Sequence, residues 1–269
     1  MSTSFHSANA EKYERMASNA TLNIAKTFML DILPTITETS YILDNACGTG
    51  LLTQLIKAAH PKAHIKCADL APGMIDIIKE KVQGLEWVNV ETDVLDVRDL
   101  KTLEDNTFSH VLTNFGFSPT PDDPEGPRKA AREMWRVLRE GGVTVVSTWS
   151  ERSFDIALEK AALVVRPDEK PFSWGVSEDW SKGWWLMKHL EEAGFGNRVE
   201  VRSVNGRVEA KTLHELVGNM MLFKERYSEE ELARLEVALK EEIRKLPQFE
   251  ETEKDVGIKM VAWVGFAWK

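Results

Sequence analysis

The residues of this chain best suited to chemistry are three aspartates and a pair of glycines. The stretch Tyr41-Ile-Leu-Asp-Asn-Ala-Cys-Gly-Thr-Gly50 opens with three apolar residues, breaks into small ones, and resumes from Leu51 as an apolar, helix-compatible run. A strand that ends in a glycine turn and feeds a helix brings backbone N–H groups and the positive helix end toward one point, where a polar or anionic part of a nucleotide can dock. Gly48 and Gly50 would let the main chain approach a ligand that a Cβ would push away. Asp44 stands at the strand's carboxyl end, the usual ligand crevice of an open parallel sheet. A plain tight turn between strand and helix would use the same residues.

Asp69 follows Gly50 by 19 residues. In a mononucleotide-binding βαβ unit, an acid at the end of the second strand, about 20 residues on, hydrogen-bonds the ribose hydroxyls. A carboxylate can accept from both hydroxyls at once. Asp69 could equally cap the helix that begins near Pro72-Gly-Met74. Asp93, in Glu91-Thr-Asp-Val94, reaches the same edge of the sheet or is a surface-turn acid. Thr113-Asn-Phe-Gly-Phe117 ends a strand in small, polar and aromatic residues, which suits ligand contact or a glycine turn between packing aromatics. His6, His110 and His189 are acid–base candidates by residue type alone. His110 lies inside an apolar strand and reads better as a satisfied core histidine, so no catalytic residue is assigned.

These side chains need a frame. Strands are expected at 41–44, 63–69, 86–91, 108–112 and 143–148. Helices fill the intervals through Leu51 to Ile56, Met74 to Val82 and Ala130 to Leu138, the last ended by Gly141-Gly142. Two helical pieces between Ser7 and Leu33 precede them and stop at Pro34. Regular alternation of this kind predicts an α/β fold, a doubly wound and mostly parallel sheet with helices on both faces. After Trp149 the alternation lapses. A helix near 156–165 leads to a segment holding four of the nine tryptophans, Trp174, Trp180, Trp184 and Trp185. Such a segment serves as pocket wall or lid, as cap core, or as a dimer contact. A strand at 199–204, a helix at 213–223 containing Met220, a charged amphipathic helix from Ser228 to about Leu246 forming a solvated outer layer, and an apolar strand at 258–268 complete the chain.

With 269 residues, 43% hydrophobic and 29% charged, the composition suits one globular domain. A net charge of -9 weighs against nucleic-acid or anionic-membrane partners. No apolar run reaches the roughly 20 residues that span a bilayer. Met1-Ser-Thr-Ser-Phe-His-Ser lacks a basic and apolar leader. Cys47 and Cys67, both at expected buried strand ends, point to a reducing cytoplasm without disulfides, and no ligand-spaced cluster suggests a metal.

Together these motifs resemble those of class I S-adenosylmethionine-dependent methyltransferases. The stretch 41–50 is similar to that family's first motif, Asp69-Leu-Ala-Pro-Gly-Met74 to its acidic second, and Asp93-Val94 to its adenine-contact position. Glu133 to Gly142 and Leu190 to Phe195 are similar to the elements before its fifth and sixth strands. The resemblance implies a seven-stranded sheet whose last strand, 257–268, inserts antiparallel. It implies one domain over 1–269, with 150–196 and 211–246 as cap or lid insertions and S-adenosylmethionine as cofactor. Asp44, Gly48 and Gly50 would frame the methionine end, Asp69 would take the ribose, Asp93 and Val94 would hold the adenine, and Ala46, Cys47, Leu70 and Met74 would also border the cofactor. Asn114 and Phe115 would lie near the reacting methyl, and Tyr13 and Met16, on the first helix, would close over the cofactor. Phe117, Trp149, Trp174, Trp180 and Met220 would line the acceptor pocket. The nearest likeness is to small-molecule enzymes of fungal secondary metabolism, including gliotoxin-type bis-thiomethyltransferases. A thiol or dithiol acceptor is then expected, with N- or O-methylation of a small aromatic metabolite as the alternative, in a monomer or a homodimer. Two rivals remain: an NAD-dependent oxidoreductase, although Thr53 stands where the dinucleotide fingerprint wants its third glycine, and a non-catalytic scaffold of the same fold.

Overall fold

The computed structural model describes residues 10–169, 177–221 and 226–269, and the side chains of residues 10–19 lie outside that description. The central strands are apolar runs buried on both faces, as parallel strands under helices must be. β1 (Tyr41–Asn45) pairs in parallel with β2 (His64–Asp69) on one side and β4 (Phe108–Asn114) on the other. β3 (Val90–Val94) lies outside β2, and β5 (Leu138–Glu151) outside β4. β8 (Val256–Trp268) runs antiparallel between β5 and β6 (Val199–Ala210), giving the order β3-β2-β1-β4-β5-β8-β6. This is the doubly wound sheet with an antiparallel last strand that the sequence implies. Among the described residues it holds eight strands rather than seven. The pairing of β5 with β8 ends at Glu151 and Val261, and short β7 (Phe249–Glu251) fills the edge of β8 left open beyond it.

Three apolar clusters organise the helices. On one face α1 (Ala10–Ile32), α2 (Leu51–Ala59) and α3 (Pro72–Gly84) bury Ile24, Phe28, Leu52, Ile56 and Ile78 against Ile42 and Val145. On the other, α4 (Gly126–Val137) and α6 (Gly183–Leu190) bury Met134, Leu186 and Leu190 against Leu43 and Val111. A third cluster joins α5 (Ser153–Val165), α7 (Leu213–Met220) and α8 (Glu229–Arg244) through Ala157, Leu216, Leu239 and Ile243. It sits on the part of β6 and β8 that runs past β5, where Val208 pairs with Ile258. α8 starts on a capping box, with Ser228 Oγ accepting from Glu231 N–H and the Glu231 carboxylate accepting from Ser228 N–H. Its outer face is charged as expected, but Leu235, Ala238, Leu239 and Ile243 make its inner face part of this core.

Several expectations need correction. The segment before the first strand is one helix over the described residues, not two pieces. β3 starts at Val90 rather than Glu86, because Glu86 and Asn89 take φ of +50° and +56° and turn the chain before it can extend. Gly141-Gly142 does not end α4. The helix stops at Val137, Leu138 is already extended, and the glycines lie in a bulge of β5 between its pairings with Phe108 and His110. The 150–196 stretch, expected as one insertion, is divided: α5 joins the third cluster while α6 covers the main sheet.

Candidate functional site

β1 is flanked by β2 and β4, with the chain leaving in opposite directions from it, so its carboxyl end is the topological switch point of the sheet. Beyond Asn45 the chain turns through Ala46 at φ +55° and Gly48 at φ +53° before Gly50 caps α2. Gly48 N–H donates to Asp69 Oδ2 at 2.8 Å, and Ala71 N–H donates to Asp69 Oδ1 at 2.9 Å. One carboxylate thus ties the turn after β1 to Ala71, the N-cap residue of α3; no side chain caps the helix itself, so Asp69 is not its cap. A Cβ built on Gly48 would meet no atom of the described residues within 4 Å, so among them the turn leaves room at this point.

Asp44 is only 1% exposed and faces inward. Its Oδ2 accepts from Thr53 N–H at 3.1 Å and from Thr53 Oγ at 2.7 Å. Burial pushes its carboxyl up to about 7, a rise that the Thr53 bonds oppose and the charge of Asp69 reinforces. Thr53, which sequence reasoning treats only as a missing glycine, is therefore the residue that fastens α2 to β1. Cys67 Sγ lies 3.1 Å from Thr53 Oγ1, and burial holds the Cys47 thiol well above its usual range, so both cysteines are buried thiols beneath the turn.

Across the crevice, Phe115 takes φ +60°, a conformation that bulky side chains avoid. Its ring stacks on Trp149 with centroids 4.0 Å apart and planes inclined by 21°. Gly116 follows, and a Cβ there would lie 2.3 Å from the Cβ of Ala46, so only glycine lets the loops after β1 and β4 touch. Two left-handed non-glycine residues thus meet at one spot. Strain of this kind costs of order 1–3 kcal/mol each and persists where the surrounding structure imposes it, commonly at ligand sites. Ser147, which nothing in the one-dimensional pattern singles out, bonds both Asn114 and Phe115 N–H.

At the outer edge Leu70 and Val94 are 42% and 47% exposed although apolar, and Val94 stands opposite Asp69 in the β2–β3 register. Met74 is buried beside Ala71 and Ile77. The Asp93 carboxylate is paired with Lys66 Nζ at 3.1 Å and remains half exposed.

At or beneath the carboxyl ends of these strands lie Asp44, Cys47 and Met74, all three buried, together with Ala46, Gly48, Gly50, Asp69, Leu70, Val94, Asn114, Phe115 and Trp149, with Asp93 at the outer edge. The other residues expected at the site lie elsewhere. Phe117 is fully buried, edge-on to Trp185 at 5.9 Å, and Trp180 packs in the same core beneath the Arg152 guanidinium. Met220 belongs to the third cluster. Trp174 and His6 lie outside the described residues, as do the side chains of Tyr13 and Met16 on α1. His110 is a core histidine: Thr35 Oγ1 and Ser109 Oγ lie 2.9 and 2.8 Å from its ring nitrogens, and burial lowers it to about 4. His189 Nδ1 lies 2.8 Å from the Trp185 carbonyl.

Among the described residues no group of His, Cys, Asp or Glu could hold a metal ion, and no helix is long and apolar enough to cross a membrane. Residues 42–142 match the sequence profile of a methyltransferase domain. The chain is 31% identical over 202 residues to methyltransferase ucsB of an Acremonium species, covering 70% of this chain and 67% of the relative. It is 25% identical over 193 residues to the acetylaranotin bis-thiomethyltransferase of Aspergillus terreus, covering 67% of this chain and 63% of the relative. The chain spans 59% to 67% of the length of the fungal relatives it matches. A solved structure of Haemonchus contortus phosphoethanolamine N-methyltransferase 2, in complex with phosphomonomethylethanolamine and S-adenosylhomocysteine, shares the fold. It aligns with 97% of this chain and 57% of its own at a TM-score of 0.56 and 15% identity.

Proposed function

The chain belongs to the class I S-adenosylmethionine-dependent methyltransferase family, and on that premise we propose that it methylates a small-molecule acceptor in the crevice at the carboxyl ends of β1, β2, β4 and β5. The observation that carries this reading is the glycine turn after β1, where Gly48 leaves room for close approach and gives its N–H to the Asp69 carboxylate, and where Ala46 meets Gly116 beside the left-handed Phe115. When bound, S-adenosylmethionine supplies an already activated methyl, so the protein's task is to align donor and acceptor and to exclude water. Asp69, held at the rim by Gly48 N–H and Ala71 N–H, accepts from the ribose hydroxyls. Leu70 and Val94 cover the adenine with apolar surface otherwise left exposed, and Asp93 offers a carboxylate beside it. The backbone at Gly48 and the loop Asn114-Phe115 border the amino-acid end. Asp44 does not reach the ligand but acts through Thr53, by fixing the N-terminus of α2.

A thiol or dithiol is the acceptor favoured here. The likeness to a bis-thiomethyltransferase supports it, as does the chemistry: a thiol ionises near pH 8.5, so a modest local shift yields thiolate without a dedicated base. Trp149, stacked on Phe115, forms the apolar wall on the acceptor side. The cap of α5, α7 and α8, which packs against Trp149, closes that side of a single domain. Two buried free cysteines suit a reducing compartment, and we place the protein in the cytoplasm.

The test is to incubate the protein with methyl-labelled S-adenosylmethionine and a panel of dithiols, phenols and amines, with product masses as readout. Label on sulfur, lost in Gly48→Val, is the expected outcome. Label only on oxygen or nitrogen would remove the thiol assignment. No transfer to any acceptor together with no binding of S-adenosylhomocysteine would remove the methyltransferase reading.

A further inference from the structure

The strain at Phe115 raises the question of what holds it. β5 does so twice. Trp149 stacks on its ring, and two residues earlier on the same face of the strand Ser147 receives its N–H at 3.0 Å. Ser147 is fully buried and stands directly opposite Asn114 in the β4–β5 register. Its Oγ donates to Asn114 Oδ1 at 2.7 Å.

The bridge orients the amide. Ser147 Oγ accepts from Phe115 N–H and gives its single proton to Asn114 Oδ1, so the bonded end of the amide is its carbonyl oxygen. The Asn114 Nδ2 group is thereby turned away from Ser147 at the carboxyl end of β4, where it can donate to a ligand. Strand order says what it meets. A ligand with its sugar on Asp69 at the end of β2, and straddling the end of β1, extends its far end to β4.

We propose that Ser147 is a positioning residue of this site, whose hydroxyl locks the Asn114 amide and the left-handed Phe115 so that the loop after β4 fits the amino-acid end of a bound S-adenosyl ligand. This rests on the methyltransferase reading above. The bridge acts on one end of the ligand only. It leaves the nucleoside end, which Asp69, Leu70 and Val94 border, untouched.

That selectivity gives the test. Calorimetry on the full chain compares S-adenosylhomocysteine with 5′-methylthioadenosine, which keeps the nucleoside and sulfur but lacks the amino-acid end. Ser147→Ala should weaken S-adenosylhomocysteine about tenfold, as for loss of a buried hydrogen-bonded bridge, and leave 5′-methylthioadenosine within about twofold of wild type. Ser147→Thr, which restores a hydroxyl, should recover most of the lost affinity. Should Ser147→Ala not fold, Asn114→Ala breaks the same bridge at a half-buried position and should give the same one-sided loss. Equal weakening of both ligands would make Ser147 a merely structural residue, and unchanged affinity for both would remove it from the site; either overturns the inference. A wild type that binds neither ligand would overturn the methyltransferase reading and this inference with it.

Discussion

The stretch from β1 to Trp149 and the cap built from α5, α7 and α8 are held together by different means. In the first, polar side chains and unusual backbone decide the geometry: a buried aspartate on Thr53, a second aspartate bridging two turns, left-handed Ala46 and Phe115, and a glycine where loops touch. In the cap, aliphatic and small residues such as Ala157, Ala161, Leu216, Leu239 and Ile243 fill a core on the extension of β6 and β8. Polar geometry admits few substitutes because each atom has a named partner. Apolar packing admits many, provided volume and pattern are kept. Substitutions in the two regions should therefore separate ligand binding from stability.

The largest separation is expected from Asp44→Asn. Because the folded carboxyl sits near 7 and the unfolded one near 3.8, the native state holds the proton more tightly. Its stabilisation is present below about pH 4 and is lost as pH rises through about 7, a span worth about 4 kcal/mol as an order of magnitude. Denaturant unfolding of wild type should show that loss between pH 4 and 7, and Asp44→Asn should flatten it; identical slopes would break the contrast. Next is Gly116→Val, which drives a side chain into Ala46 and should cost about 3 kcal/mol while abolishing S-adenosylhomocysteine binding. Unaltered binding would mean that the contact between the two loops does not shape the site. Leu239→Ala in the cap should cost about 2–3 kcal/mol in thermal or denaturant unfolding, yet leave S-adenosylhomocysteine affinity within a few-fold. A large loss of affinity would show that the cap and crevice are not separable. Smallest is Ser228→Ala at the capping box of α8, about 1 kcal/mol of stability with no change in ligand binding.

The same contrast explains what could be read from the sequence. β1, its glycine turn, α2, β2 and Asp69 stand where spacing and residue type put them, because few residues satisfy such a turn. Thr53 carries a weak signal, a threonine where a glycine was sought, whose meaning appears only once its hydroxyl is seen on Asp44. Ser147 is invisible without the β4–β5 register, since a serine in a β-branched strand looks like any small core residue. Phe117 shows the opposite failure: in a loop without periodicity, an aromatic beside a glycine reads the same whether it walls a pocket or fills a core. Glu86 and Asn89 hide a left-handed turn inside what looks like a strand. In the tryptophan-rich segment expected as part of a cap, Trp180 and Trp185 belong instead to the main sheet's core, because burial partners there are set by chain path rather than by local pattern.

The central claim, a nucleoside ligand gripped by Asp69 at the switch point, is tested most directly by calorimetric titration of wild type and Asp69→Ala with S-adenosylhomocysteine. One ligand should bind per wild-type chain, and the variant should bind at least several-fold more weakly, since a buried hydrogen bond to a charged group contributes about 1.5–3 kcal/mol. Equal affinities for the two proteins, or no binding by wild type, would contradict it.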